Sequence, residues 1–175
     1  MCYRRRVRGT ILVAIWLAAC GAPWHVTREA RPTASLFSYG WIWTDEQGQR
    51  VALSQWRGTP VVMTAIYTSC DNTCPRTIAK LRKVYDEYQH DGRQAEFVVV
   101  TLDPVVDTPE QLRHYKEERR LPAAWHLLRG DVAQTEQLGN VLGVRPMEMD
   151  AHYVHESRIT VFDGNGASRA VLDVF

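Results

Sequence analysis

The sequence predicts an α/β protein, a three-layer sandwich with an N-terminal β-hairpin. Three observations point there. Residues 61–67 and 97–102 are short apolar runs without charge, as central strands covered on both faces should be. Between them Ile78, Leu81, Val84, Tyr85 and Tyr88 recur at helical spacing. Residues 158–163 and 167–174 flank Gly164-Asn165-Gly166 and read as a closing strand pair. Strands alternating with helices call for one sheet with helices on its faces.

The elements follow in order. Residues 36–44 and 50–53 flank Asp45-Glu46-Gln47-Gly48, a turn-rich stretch that predicts the entry hairpin. After the strand at 61–67, a helix is expected from about 75 to 89, stopped by Asp91-Gly92. The strand at 97–102 comes next. Asp107-Thr108-Pro109-Glu110 then opens a second helix, with Pro109 placed for its first turn. Residues 125–128 form a short strand, and 131–142 a third helix ending near Gly143.

Residues 1–19 read as a lipoprotein-type signal peptide. Arg4, Arg5, Arg6 and Arg8 make a basic head, residues 11–17 an apolar core, and Ala18 and Ala19 a small-residue site. The apolar core is far shorter than the roughly 20 residues that span a bilayer. Leu17-Ala18-Ala19-Cys20-Gly21 resembles a bacterial lipoprotein cleavage box, in which Cys20 carries diacylglycerol and becomes the new N-terminus. The plainer alternative is an ordinary secretory signal with an incidental Cys20. Residues 20–35 contain Pro23 and Pro32 and show no periodicity, as a flexible tether would. Residues 36–175 remain as the folded domain. The expected location is extracytoplasmic, in the periplasm or at the cell surface, with the membrane reached through Cys20.

Composition bounds the function. Apolar residues make up 45% of the chain, enough for a packed core. Four of the 21 basic residues and none of the 20 acidic ones precede Cys20, so the rest carries 17 against 20. A mildly acidic domain lacks the basic footprint of a nucleic-acid binder.

Cys2 and Cys20 lie in the head, which leaves Cys70 and Cys74 as the domain's cysteine pair. They occupy the junction between the strand at 61–67 and the following helix, the thioredoxin arrangement, so the sandwich is expected to be thioredoxin-like. Pro75 suits a first helical turn, which puts Cys74 at or just before the helix N-terminus. The positive helix end favours a thiolate there. With the segment turned, the two sulfurs can close a disulfide, act as a redox pair, or share one metal ion. An inert staple is the bland reading, and so short a loop gives it little entropic value.

Of six histidines, His25 lies in the tether, while His90, His114 and His126 fall on regular elements with ordinary structural roles. His155 stands just before the last strand pair, near where thioredoxins place a cis-proline facing their cysteines. No proline follows Pro146. Two thiolates and one imidazole form a soft, low-coordinate set that suits Cu(I), or Cu(II) with one more ligand. Structural zinc normally takes four protein ligands. Taken alone, His155 would sooner be read as an ordinary loop residue.

Three motifs in order then resemble the Sco/SenC family, exported thioredoxin-fold copper proteins that help assemble cytochrome c oxidase. Tyr67-Thr68-Ser69-Cys70-Asp71-Asn72-Thr73-Cys74-Pro75 is similar to the family's Cys-x-x-x-Cys-Pro copper loop. Thr101-Leu102-Asp103-Pro104-Val105-Val106-Asp107-Thr108-Pro109 is similar to its Asp-Pro-x-x-Asp-Thr-Pro segment, which doubles as a helix cap. His155 and the residues to Gly166 resemble its ligand-histidine segment, with Asp163 eight residues on.

The resemblance spans residue 36 to the end. It implies copper held by Cys70, Cys74 and His155, with Asp103 behind the ligands or facing a partner. It also implies an upstream copper donor, and as client the apo copper site of a cytochrome c oxidase subunit or another copper protein. The same two cysteines could instead serve a thiol–disulfide reductase that keeps client cysteines reduced. A peroxidase role fits less well, since His155 has no peroxide chemistry to perform. Met147, Met149 and His152 offer soft donors for an accessory copper entry point, although loop methionines more often pack. Asp71 after the first cysteine and Val154 before the histidine depart from the common family pattern.

Overall fold

The computed structural model describes residues 35–144 and 158–174. After a 3-10 turn at Leu36–Ser38, β1 (Ile42–Asp45) and β2 (Arg50–Ala52) form the expected antiparallel hairpin. The first of the two predicted segments is shorter as a strand than its apolar character suggested. The Ser35 side chain accepts from Phe37 N–H and winds the turn, and Gly40 at φ +65° breaks the extended path before β1. Asp45 closes the hairpin, its carboxylate accepting from Gln47 N–H at 2.9 Å and Gln49 N–H at 2.7 Å.

Every residue of β3 (Val61–Ile66) is buried, as the uncharged run predicted. It pairs in parallel with β4 (Glu96–Thr101), which pairs in parallel with β5 (Trp125–Arg129). Parallel neighbours need crossovers. These are α1 (Thr73–His90) and α2 (Pro109–Glu118). α3 (Val132–Leu142) follows β5, and the hairpin of β6 (Arg158–Phe162) and β7 (Ser168–Asp173) adds antiparallel to β3. Among the described residues the sheet has seven strands in the order β2-β1-β5-β4-β3-β6-β7.

Strand alternation sorts the core into two layers. Val62, Ile66, Phe97, Val99, Trp125 and Leu127 meet Ile78 and Leu81 of α1 and Leu112 and Tyr115 of α2. Val61, Met63, Val98, Val100 and Leu128 meet Leu138 and Leu142 of α3 on the other face. The three-layer α/β sandwich is thus as predicted. Rings tie α1 to the sheet, with Tyr85 and Tyr88 edge-on to Phe97 at 5.0 and 5.6 Å. Helix ends follow their local chemistry. Thr108 accepts from Gln111 N–H to cap α2, Asp131 and Gln134 form a capping box on α3, and Gly143 ends α3 at φ +68°.

The two cysteines therefore sit where β3 hands over to α1, at the end of the sheet that also carries the segment following β4. None of the described helices is long and apolar enough to cross a membrane.

Candidate metal centre

The chain turns immediately after β3, with Cys70 N–H donating to the Tyr67 carbonyl at 3.2 Å. α1 begins at Thr73, two residues before the expected start, so Cys74 lies inside its first turn. Asn72 occupies the N-cap position, yet its side chain caps nothing. The sulfur of Cys70 takes that part instead. It accepts from Cys74 N–H at 3.3 Å and lies 3.4 Å from the Thr73 hydroxyl. Both cysteines are free thiols and both are buried, at 5% and 4% exposure.

This corrects the assignment of the helix end. The sequence pointed to Cys74 as the thiol favoured by the helix N-terminus, but the N-terminal amides converge on Cys70. Burial pushes the Cys70 thiol up. Hydrogen bonds from the Cys74 thiol, the Thr73 hydroxyl and the amides of Cys74 and Asn72 outweigh it and bring the thiol down from 9.0 to about 7. Burial and donation to Cys70 push Cys74 up to about 12. One sulfur is ready to ionise near neutrality while the other holds its proton. A bound metal cation would reverse that preference at Cys74, because a coordinated thiol is deprotonated outright.

The surrounding residues hold the pair from both sides. Asp107, 1% exposed, accepts from Thr68 N–H at 3.0 Å and from the Thr68 hydroxyl at 2.5 Å, and also from the Thr101 hydroxyl. It thereby fastens the segment after β4 to the cysteine turn, two residues before Cys70. Sequence reasoning treated Asp107 as part of a helix cap, but the capping belongs to Thr108 and Asp107 faces inward. Asp103 organises its own turn, its carboxylate accepting from Val106 N–H at 3.3 Å and its N–H donating to the Thr101 hydroxyl at 2.9 Å. Tyr67 is hydrogen-bonded to Cys70, and burial together with that bond raises its phenol to about 12. Sequence reasoning placed Tyr67 at the end of a strand and at the head of the cysteine motif, and gave its hydroxyl no role.

His155, Cys20, Met147, Met149 and His152 lie outside the described residues. His25 also lies outside the described residues, and His126 and His114 take the ordinary roles expected. The His126 ring nitrogen lies 3.1 Å from the Glu96 carboxylate and the ring packs on Trp56, and His114 is exposed on α2. Among the described residues no group of three or more His, Cys, Asp or Glu side chains could hold a metal ion, so the two cysteines supply two donors. Two thiols, one in the turn before α1 and one in its first turn, braced by a buried carboxylate, fit a soft metal ion that completes its coordination from elsewhere in the chain.

A family model described as SCO1/SenC matches residues 29–174. The chain belongs to the SCO1/SenC family. A "Putative copper-binding protein" of Stutzerimonas stutzeri is 26% identical over 131 residues, 71% of this chain and 63% of that protein. The chain thus spans less than two thirds of that relative's length. Among solved structures, BsSco is described as a Sco family cytochrome c oxidase assembly protein with a disulfide switch. It superposes with a TM-score of 0.68 at 18% identity, over 83% of this chain and 88% of that one. Arabidopsis thaliana ScoI with copper bound gives 0.66 at 19% identity, over 77% and 88%. This chain has the thioredoxin-like fold of these Sco structures, and its own cysteine turn lies at the strand–helix junction.

Proposed function

We propose that this SCO1/SenC protein is an extracytoplasmic, lipid-anchored copper-binding protein that holds copper between Cys70, Cys74 and His155 and delivers it to an apo copper site. The observation that carries the reading is the pair of free thiols brought together at the start of α1, with Cys70 already inclined to ionise. Soft thiolates select Cu(I), and an imidazole from His155 would complete a three-ligand set. The copper-bound ScoI of Arabidopsis thaliana and copper-bound yeast Sco1 support copper as the cargo on this fold. The expected client is the dinuclear copper centre of cytochrome c oxidase, a reading supported by the assembly role given for the BsSco family. Transfer needs no redox step. Copper leaves by exchange of ligands to the client, and the freed sulfurs regain their protons. The basic, apolar head and Cys20 support export and acylation.

The test is metal analysis of the reduced domain reconstituted with copper, beside Cys70→Ser, Cys74→Ser and His155→Ala variants. One equivalent is expected in the parent and weakened binding in all three variants. Retention of one equivalent by His155→Ala at the parent's affinity would overturn the ligand set.

One observation favours a second reading, a thiol–disulfide reductase. The split between Cys70 at about 7 and Cys74 at about 12 suits an attacking and a resolving thiol. Cys70 thiolate would attack a client disulfide, and Cys74 would then displace the client sulfur. Two electrons pass to the client, which leaves as a dithiol, and a Cys70–Cys74 disulfide remains. Here His155→Ala keeps full reductase turnover, and either cysteine variant loses it.

A further inference from the structure

The described residues expose five large apolar side chains, Tyr39, Ile42, Val105, Val106 and Val132. Scattered singly they would carry no message. They gather instead around one groove. It encloses about 440 Å³ beside β1 and is lined by Gly40, Ile42, Thr44, Arg50, Arg129 and Asp131, among others. Tyr39 and Val132 adjoin Gly40 and Asp131 in the chain. Val105 and Val106 follow Pro104, whose carbonyl accepts from Arg129 Nε at 2.6 Å. These two valines are the most exposed of the five, at 73% and 56%. Their turn is fixed, with Asp107 N–H donating to the Asp103 carbonyl and Thr108 N–H to the Val106 carbonyl, both at 2.9 Å. An apolar knuckle already held in shape has little ordering cost left when a partner covers it.

The groove is also basic, in a domain whose acidic residues outnumber its basic ones. Arg50 and Arg129 both pair with Thr44, so the three share one row across β2, β1 and β5. That sets the bases of the two arginines about 10 Å apart. Neither forms an ion pair among the described residues. Asp131 is turned to the cap of α3, accepting from Gln134 N–H at 2.7 Å. The far end of the valine turn is tied to Thr68 by Asp107, two residues before Cys70. The surface therefore runs from the groove to the cysteines. With both sulfurs nearly covered, ligand exchange needs a client held against that turn.

We propose that the groove and the Val105–Val106 knuckle form one docking surface for the copper client. It takes a client segment in which an acidic side chain is flanked by apolar ones. The carboxylate pairs with Arg50 and Arg129, and the apolar side chains cover Val105, Val106 and Ile42. The inference rests on the reading that this protein delivers copper to a protein site.

The test follows Cu(I) transfer from the loaded protein to two acceptors. One is the apo copper domain of the cytochrome c oxidase subunit proposed above as client. The other is neocuproine, a small uncharged chelator that needs no docking. Joint Val105→Ser and Val106→Ser replacement is expected to slow transfer to the domain by about tenfold. Arg50→Glu should slow it several-fold at low salt, with the difference fading near about 1 M salt. Neocuproine should take copper from both variants at the parent's rate, since only exposed side chains have changed. Unchanged transfer to the domain in both variants would overturn the surface and leave the copper reading intact. Equal slowing towards neocuproine would also overturn it, by locating the damage in the copper site. A parent that is dimeric, with monomeric variants, would give the surface to a second copy of this chain instead. A parent that holds copper but passes none to the domain removes the surface together with the client. One that holds no copper removes the copper reading and the surface with it.

Discussion

Two buried carboxylates, Glu46 and Asp107, stabilise opposite parts of the molecule by opposite means. Glu46, in the entry hairpin, faces the Lys116 ammonium at 2.5 Å and accepts Leu127 N–H at 3.0 Å. Lys116 also donates to the carbonyls of Trp125 at 2.5 Å and Ala123 at 3.2 Å. The charges cancel, and the hairpin is bolted to α2 and β5. Asp107, at the cysteine end, is held by an amide and two hydroxyls, all neutral donors. They stabilise its charge without cancelling it. The scaffold end is electrostatically closed, and the cysteine end keeps a carboxylate that no cation among the described residues neutralises.

Removing one partner at each end separates the two cases. Glu46→Ala strands the Lys116 ammonium, only 14% exposed, so a loss of about 3–5 kcal/mol in urea unfolding is expected. Protein still folded should bind copper normally. Asp107→Ala leaves three donors facing a void, and about 3 kcal/mol is expected from the same measurement. Here copper affinity should fall as well, because the cysteine turn loses its brace. Thr108→Ala is the companion variant. It removes only the α2 cap, at about 1 kcal/mol, and should spare copper affinity. Equal costs for the Asp107 and Thr108 variants would reduce Asp107 to a capping neighbour.

A smaller effect sits on the pH axis, at the cysteine end alone. Cys70 is depressed from 9.0 to about 7, so its contribution is present above 9 and is lost as pH falls towards 7. Cys74 is raised to about 12, so its contribution is present below 9 and is lost as pH rises towards 12. The reduced, metal-free protein should gain about 2 kcal/mol between pH 7 and 9 and then decline. Unfolding midpoints across that range check it. Cys70→Ser should abolish the gain, and a profile unchanged in that variant would place the proton elsewhere.

Much of this was legible beforehand because it depends on local pattern. The uncharged run at 61–66 could only be a covered strand, and Thr108-Pro109 and Gly143 announce helix ends through backbone chemistry that needs no neighbours. Cys70 and Cys74 stood out as the domain's pair, and the motifs around them pointed to SCO1/SenC before the fold was seen. Which sulfur the helix end favours was not legible. Moving the start of α1 by two residues changes the sulfur that meets the free amides, and helix ends are the least certain feature of any sequence pattern. Asp107 carried a visible signal but was assigned the commoner local role.

By itself, then, the sequence determined the order of strands and helices, the layered architecture and the cysteine turn at its strand–helix junction. These follow from spacing and from propensities acting within a few residues. Only the tertiary structure decided that the helix amides fall to Cys70 and that Asp107 reaches back 39 residues to Thr68. Those facts depend on distances between segments far apart in the chain, and no local pattern encodes them.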